Sequence, residues 1–142
     1  MTGHRTLAII KPDAFARGNA GNIMALLEQR GFKIKAARVL HLSQSQAEAF
    51  YEVHRERPFY RSLTAFMTSG PCMPLVLQSE GAVPALREAI GATDPREAAD
   101  GTVRKLYAES KERNAIHASD SDENAVREIR FFFSDADLLA AV

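Results

Sequence analysis

The chain has 142 residues, 46% of them hydrophobic, and its 18 basic and 18 acidic residues give a formal net charge of zero at pH 7. This length predicts a single domain over residues 1–142, and the balanced charge excludes an overall field that would attract nucleic acid or a membrane. The single cysteine, Cys72, cannot close an intramolecular disulfide, and no apolar run reaches the ~20 residues of a membrane span or forms the core of a signal peptide, so we expect a soluble cytoplasmic protein.

The chain opens with a predicted strand that ends at a lysine. Residues 6–10 are an apolar run, typical of a buried strand, and the turn Lys11, Pro12, Asp13 closes it. A cation at the end of a buried strand is well placed to face a ligand. The alternative for Lys11 is a solvated lysine with no ligand.

A helix and a second strand are expected next. Apolar residues follow helical spacing over residues 23–30, and Gly31 stands just past the predicted helix end. Residues 32–36 alternate between apolar and polar, as a half-exposed strand does. The alternation slips near residues 36–37, which predicts a bulge or bend there.

A pair of helices is predicted over residues 43–67. Ser43 followed by Gln46 fits a capping box that opens the first helix. The apolar stripes of the two helices are Ala47, Phe50, Tyr51 and His54, then Leu63, Phe66 and Met67. The Tyr51 phenol could reach a site from the edge of its stripe. Phe59, at the elbow between the helices, either stacks on a nucleobase or only anchors the second helix.

The middle of the chain predicts a strand, a helix and a phosphate-binding helix start. A strand over residues 73–77 precedes a helix from which Arg87 projects away from the buried side. The buried set of that helix is Val83, Leu86, Ala89 and Ile90. Residues 94–97 have the pattern of a helix start, whose free N–H groups favour phosphates, and Thr93 and Arg104 flank them.

The last third contains the candidate chemistry. A polar loop over residues 109–113 leads into residues 114–120, and residues 119–122 form a cap for a helix. Residues 131–133, three phenylalanines, predict a final buried strand, and residues 134–142 are expected to be loose or to depend on a partner. The resulting order, with extra helices, is βαββαβ.

Common nucleotide and hydrolase motifs are absent from the sequence. There is no Gly-x4-Gly-Lys-Ser/Thr loop, no Gly-x-Gly-x-x-Gly after a strand, and no Gly-x-Ser-x-Gly. The histidines at positions 41, 54 and 117 are too far apart for a local metal motif. His117, however, lies among short polar residues ahead of a helix that carries Glu128. A carboxylate can orient an imidazole and leave one ring nitrogen free as a nucleophile, although an incidental loop histidine is the plainer alternative.

The stretch Asn-Ala-Ile-His-Ala-Ser-Asp at residues 114–120 resembles the signature Asn-x-x-His-Gly-Ser-Asp of the nucleoside diphosphate kinase family. Further blocks are similar to that family in order and spacing, from about residue 5 to 133. These blocks are residues 9–14, 31–34, 50–54, 66–71, 91–95, 101–104 and 127–129. The resemblance implies an α/β (α+β) fold, a ferredoxin-like sandwich with a four-stranded antiparallel sheet covered by helices.

The resemblance implies an enzyme, a nucleoside-diphosphate kinase. His117 would attack the terminal phosphate of a nucleoside triphosphate, become phosphohistidine, and pass the phosphate to a nucleoside diphosphate in a ping-pong cycle. Glu128 would bond the other imidazole nitrogen, and Ser119 would help to hold Glu128. Lys11 would serve the sugar hydroxyl and the transferring phosphate, with Tyr51 beside it.

The resemblance also implies how nucleotides such as ATP, GTP, ADP and GDP bind. The nucleotide-binding residues would be Lys11, Phe59, Leu63, Arg87, Thr93, Arg104 and Asn114. Arg87, Thr93 and Arg104 would bind phosphates, Asn114 would contact the sugar, and Phe59 would stack on any base with help from its neighbour Leu63. Magnesium (Mg2+) would be held mainly by the nucleotide phosphates, with no protein ligand required.

One residue departs from the signature. Ala118 replaces the glycine that usually follows the histidine, so either a positive φ or a crowded neighbourhood would slow the enzyme. The alternative function is therefore a nucleotide-binding regulatory or interaction protein with impaired transfer. The resemblance implies a homo-oligomer, a dimer, tetramer or hexamer, and the apolar tail at residues 138–142 could pack on a neighbouring subunit.

Overall fold

The computed structural model describes residues 3–140. Its centre is a four-stranded sheet in the order β2-β3-β1-β4, with every neighbouring pair antiparallel. The strands are β1 (Arg5–Ile10), β2 (Lys33–Ala37), β3 (Met73–Gln78) and β4 (Ile116–Ala118). With helices packed against this sheet, the fold is the α+β, ferredoxin-like sandwich that the resemblance implied.

Helices cover both faces of the sheet. They are α1 (Pro12–Ala16), α2 (Ala20–Gln29), α3 (Gln44–Phe50), α4 (Tyr60–Met67), α5 (Ala82–Ile90), α6 (Val103–Tyr107), α7 (Asp122–Phe132) and α8 (Asp135–Ala140), with a 3-10 turn at Glu52–His54. Successive side chains of β1 point to opposite faces: Ala8 and Ile10 pack in a core with α2 and α5, whereas Leu7 and Ile9 pack in a second core with α3, α4 and α7. Burial of both faces explains why β1 is apolar from Leu7 to Ile10.

The short strand β4 places His117 on a defined face. Ile116 and Ala118 pack in the same core as Ala8, so His117, between them, points to the opposite face and meets the aromatic rings of α3. Its pairing partner is Ile9, near the end of β1. The sheet therefore brings His117 beside Lys11, the residue that follows β1.

Two local expectations are confirmed. The register between β2 and β3 shifts between Ile34 and Ala36, at the predicted bulge. Ser43 and Gln46 form the capping box, since the Ser43 Oγ accepts from the Gln46 N–H and the Gln46 side chain accepts from the Ser43 N–H.

The predicted last strand is wrong. Residues 131 and 132 belong to α7, which Ser121 caps by accepting from the Asn124 N–H and which buries Ile129 and Phe132 along one side. Three consecutive phenylalanines carry no periodicity, so helix and strand could not be distinguished there. The fourth strand is instead Ile116–Ala118, within the stretch treated as a loop, and three residues are too few to show an alternating pattern.

One further expectation is wrong. Residues 94–97 form a turn and not a helix, because the Asp94 carboxylate accepts from both the backbone and the guanidinium of Arg96 and the chain turns away at once. The tail is helical over α8, where the Ser134 hydroxyl and the Asp137 carboxylate cap each other's N–H groups. Residues 141–142 of the tail lie outside the described part. Within residues 3–140 no helix is long and apolar enough to cross a membrane.

Candidate active site

A cleft of about 650 Å³ opens beside the end of β1 and above His117. Most of the candidate residues line it: Lys11, Tyr51, Phe59, Leu63, Arg87, Thr93, Arg104, His117 and Glu128. Ser119 and Asn114 lie behind this wall, both buried, where they contact Glu128 and Lys11 respectively. The cleft thus brings together side chains that lie far apart in the sequence.

His117 is oriented by a buried carboxylate. Its Nε2 lies 2.6 Å from Glu128 Oε1, and the Ser119 hydroxyl donates to the same oxygen at 2.9 Å. Glu128 is 5% exposed and comes from α7, which packs against β1, the neighbour of β4 in the sheet. Because a carboxylate oxygen accepts, the neutral ring in this geometry carries its proton on Nε2 and leaves the Nδ1 lone pair free. The ring therefore offers Nδ1 as its nucleophilic atom.

Aromatic side chains at the end of α3 wall the imidazole. The Phe50 ring meets the His117 ring edge-on with 5.4 Å between centroids, and the Tyr51 ring does so at 6.1 Å. The Tyr51 hydroxyl is buried without a partner among the described residues. Burial, and then the nearby Glu128 carboxylate, raises the pKa of this phenol far above its usual value. Tyr51 therefore stays protonated and has a hydrogen to donate to a ligand.

Lys11 and Asn114 form a buried polar pair. Lys11 Nζ donates to Asn114 Oδ1 at 2.9 Å, and both side chains are less than a tenth exposed. Burial, and then the Arg104 guanidinium, lowers the pKa of Lys11 to about 8, although the Asp13 and Glu112 carboxylates act in the opposite direction. A buried ammonium whose charge is disfavoured in the empty cleft gains from an anionic ligand.

Arg104 and Arg87 add two more cations. Arg104 donates through Nη1 to the Gly91 carbonyl at 3.0 Å and through Nη2 to the Ile116 carbonyl at 2.8 Å, and its Nε has no partner in the described chain. Burial, and then Arg87, lowers the pKa of Arg104 to about 10. Exposed Arg87 and Thr93 complete this end of the cleft. The positive charge gathered at this end of the cleft would attract an anion.

The other end of the cleft is apolar and half open. Phe59 is 47% exposed at the N-cap of α4, with Leu63 one turn along the helix. The His54 ring lies 5.4 Å from the Phe59 ring, and the charged pair Lys111 and Glu112 lines the same cleft. A flat exposed ring beside a cleft is a platform on which a planar base can stack.

Sequence reasoning missed several lining residues. They are Phe50, Val53, His54, Ser62, Lys111, Glu112, Asp120, Asn124 and Arg127. Asp120 belongs to the quoted signature and Arg127 precedes Glu128, so those two could have been found by motif position. Phe50 and His54 were assigned to the core stripe of a helix. In the structure α3 ends at Phe50, and both side chains also line the cleft.

Ala118 lines the cleft but is not strained. Within residues 3–140 the only residue other than glycine with a positive φ is Ala115, at +74°. The expectation of a positive φ at Ala118 is therefore wrong, because the residue is part of β4, where backbone is extended. Its methyl group is buried in the core on the far side from His117.

Comparison with known proteins identifies the family to which the chain is similar. The sequence profile of the family described as nucleoside diphosphate kinase matches residues 4–138. The chain is 54% identical to a nucleoside diphosphate kinase of Desulfatibacillum aliphaticivorans over 134 residues, 94% of this chain and 97% of that protein. It is 52% identical to one of Chlorobium chlorochromatii over 135 residues, 95% and 96% of the two chains.

Solved structures agree as well. A crystal structure of the Aquifex aeolicus nucleoside diphosphate kinase superposes with a TM-score of 0.93 at 46% identity, covering 94% of this chain and 97% of that one. An Encephalitozoon cuniculi nucleoside diphosphate kinase gives 0.89 at 33% identity, covering 93% and 90%. The chain belongs to the nucleoside diphosphate kinase family.

Proposed function

We propose that this protein is a nucleoside-diphosphate kinase that transfers the terminal phosphate of a nucleoside triphosphate to a nucleoside diphosphate through His117. The observation that carries the proposal is the His117–Glu128 bond of 2.6 Å in a cleft lined by Lys11, Arg87 and Arg104. That bond leaves Nδ1 as the nucleophile, and the cations define where its phosphate target lies.

The reaction is two matched displacements. Nδ1 forms a bond to the terminal phosphorus while the bridging P–O bond breaks, and the electron pair of that bond leaves on the nucleoside diphosphate. Glu128 holds the Nε2 proton and stabilises the positive charge that the ring acquires. A second diphosphate then enters, its terminal oxygen attacks the phosphohistidine, and the imidazole leaves.

The cations and Tyr51 position the phosphates and neutralise them. In phosphoryl transfer the protein contributes mainly through positioning and charge stabilisation. Lys11 and the Nε of Arg104 are buried donors that no other described group satisfies fully, and the Tyr51 hydroxyl is a third. A phosphate chain between His117 and Arg87 would satisfy these donors and relieve their mutual repulsion.

The base is bound through its face. Phe59 would stack on it, with Leu63 beneath the ring, and Asn114 would reach the sugar together with Lys11. Stacking discriminates little between bases, because each has a π face, so broad base specificity follows.

Magnesium is proposed as the cofactor. The Asp120 carboxylate lines the cleft, and its pKa is lowered by the hydrogen bond from Asn124 and by Arg87, so it is ionised and fits a magnesium-bound water. When bound to the nucleotide, magnesium would supply charge neutralisation between phosphates. Asp120 would then orient the hydrated ion without being a required ligand.

Intact mass tests the proposal. Brief exposure to magnesium and ATP, without acceptor, should add one phosphoryl group, which a second nucleoside diphosphate then removes. His117→Ala should abolish the gain. The matched control is His41→Ala, since His41 bonds the Thr68 carbonyl outside the cleft and should leave labelling intact. No gain in wild type, with nucleotide still raising the melting temperature, would support the binding-only alternative.

We also propose that the chain acts as a homo-oligomer. β2 is an edge strand, and Val39 just beyond it is 53% exposed. Edge strands readily pair with a second copy. Light scattering of the purified protein should give a multiple of 15.6 kDa, and the mass of one chain would contradict the proposal.

A cytoplasmic location is proposed from the cysteine. Cys72 is fully buried, and burial raises the pKa of its thiol to about 11. A lone, unreactive thiol suits a reducing compartment. Fractionation of cells that produce the protein should recover it with cytoplasmic markers.

A further inference from the structure

A strained turn lies immediately before His117. Ala115 has φ +74°, and the Ile116 N–H donates to the Asn114 carbonyl at 2.9 Å. A bond between residues two apart around a positive φ makes a γ-turn of the rare, strained kind. An alanine remains in this conformation only where its surroundings impose it, and such strain is concentrated at functional sites.

Two groups at the start of α1 hold the turn. Asp13 Oδ2 accepts from the Ala115 N–H at 3.1 Å, and the Lys11 N–H donates to the Ala115 carbonyl at 2.9 Å. Asp13 is 6% exposed, and its other oxygen has no partner among the residues described. A carboxylate buried with half of its acceptor capacity unused is costly, and its one bond to this part of the chain is to the strained residue.

The turn is connected to three groups of the proposed reaction. Asn114, its first residue, accepts from Lys11 Nζ at 2.9 Å. Ile116, its last residue, accepts from Arg104 Nη2 at 2.8 Å through its carbonyl. His117 follows directly. A change in the shape of the turn would therefore move Lys11, Arg104 and His117 relative to one another.

We propose that Asp13 is a positioning residue for phosphoryl transfer, which holds the γ-turn at Ala115 in the shape that aligns His117 with Lys11 and Arg104. The inference rests on the function proposed above. Asp13 acts as a hydrogen-bond acceptor and does not line the cleft. Misplacement of reacting groups by about 1 Å can cost on the order of 100-fold in rate, so a clamp of this kind has a large kinetic effect.

The role of Asp13 as a hydrogen-bond acceptor predicts different kinetics for two variants. Asp13→Asn keeps an oxygen that can accept from the Ala115 N–H, and the amide nitrogen can occupy the position of the unpartnered oxygen. Asp13→Ala removes the acceptor. Both variants also remove the Asp13 charge that favours the Lys11 ammonium, so they are compared at pH 7, below the pKa of about 8 of Lys11. There we expect Asp13→Asn to keep kcat within roughly 3-fold of wild type, and Asp13→Ala to lose roughly 10- to 100-fold in kcat with nucleotide KM changed much less.

Relief of the strain should rescue the defect. Glycine adopts positive φ readily, so Ala115→Gly lets the turn form without a clamp. We expect the double variant Asp13→Ala, Ala115→Gly to regain at least 3-fold in kcat over Asp13→Ala, and Ala115→Gly alone to resemble wild type. Asp137→Ala is the control, since it removes a carboxylate that also accepts from a backbone N–H but caps α8.

The test measures kcat, KM and the rate of phosphohistidine formation below the melting temperature of each variant. Wild-type kinetics in Asp13→Ala would overturn the inference, as would a loss in Asp13→Asn equal to that in Asp13→Ala, or no rescue by Ala115→Gly. If Asp13→Ala does not fold, the double variant is compared with wild type, and a folded double variant with kcat still roughly 100-fold below wild type would overturn the inference. Absence of labelling in wild type would instead overturn the proposed function.

Discussion

At the scale of single residues, one carboxylate oxygen organises the proposed nucleophile. Glu128 Oε1 accepts from both His117 and the Ser119 hydroxyl, so neither the carboxylate nor the imidazole can turn without breaking a buried bond. A buried polar network of this kind is rigid because every alternative leaves an unsatisfied group. The position of Nδ1 is thus fixed by residues from β4, the loop after it and α7.

Lys11 predicts an alkaline limit to activity. Burial lowers the pKa of Lys11 to about 8, so the ammonium is charged below that pH and loses its proton as pH rises through it. The free enzyme should therefore lose kcat/KM above about pH 8, which initial rates at low nucleotide concentration measure. The Lys11→Arg variant should be slower, but its side chain stays charged over this pH range, so its kcat/KM should not fall above about pH 8. If kcat/KM of Lys11→Arg decreases with pH as in wild type, a group other than Lys11 causes the decrease.

The positive charge of Lys11, which favours activity, lowers the stability of the folded protein. Since the pKa of Lys11 is lowered on folding, the unfolded chain binds more protons between about pH 8 and 10.5. The free energy of unfolding gains from this residue as pH rises through that window. The cation needed for an anionic ligand is therefore a source of instability in the empty cleft.

Ala118 gives the second prediction. Its methyl group is buried in the core behind the cleft, and its φ is not positive, so glycine relieves no strain there. Ala118→Gly should leave kcat equal to or above wild type while lowering stability by about 0.5–1 kcal/mol, the usual cost of glycine in a strand. Steady-state kinetics and thermal melting measure the two effects. A large loss of activity would show that this methyl group helps to hold His117.

At the scale of elements, the α3–α4 hairpin carries the proposed base platform, which gives the third prediction. Phe59→Ala should weaken nucleotide binding by about 1–3 kcal/mol, the usual value of stacking on one base. Calorimetric titration with ADP and GDP should show a similar loss for both. Tyr60→Ala is the matched control, because the Tyr60 hydroxyl donates to the Glu48 carbonyl away from the cleft. A loss confined to one nucleotide would argue against face-only recognition.

Elements with long or distinctive patterns could be predicted from sequence, and short ones could not. The apolar run of β1 and the capping box of α3 are confirmed, since each depends on chemistry local to the element. β4 has only three residues, and its existence depends on pairing with β1 across more than a hundred positions of sequence. No local sequence pattern records tertiary pairing. Pairing with β1 therefore determines that residues 116–118, and not the phenylalanines of α7, form the fourth strand.

The same distinction applies to the site. Lys11, His117 and Glu128 could be named from motif position and chemistry, and the structure brings them to one cleft. Asp13 stood in the same short block as Lys11 but had no assigned role, because its partner is the backbone of Ala115. Because every residue except proline has a backbone N–H, the residue type at the partner position does not reveal such a bond. Positioning residues of this kind therefore require coordinates.

At the scale of the whole molecule, the anion site joins segments that are distant in sequence. Arg104 from α6 bonds the Gly91 carbonyl after α5 and the Ile116 carbonyl of β4, while Lys11 follows β1. The repulsion between these cations opposes folding until an anion is bound. A ligand with phosphates should therefore stabilise the entire fold and not only a loop, since any ligand selective for the native state shifts unfolding by mass action.

This coupling gives the fourth prediction. ADP at about 100 times its Kd should raise the free energy of unfolding by about 2.7 kcal/mol, which corresponds to roughly 8 °C in Tm for a chain of this size. Adenosine at the same concentration should give a much smaller rise, because it stacks on Phe59 but leaves Lys11 and Arg104 unpaired. Added salt should reduce the shift with ADP by screening the charges. Equal shifts with ADP and adenosine would mean that the base end, and not the cations, provides the binding energy.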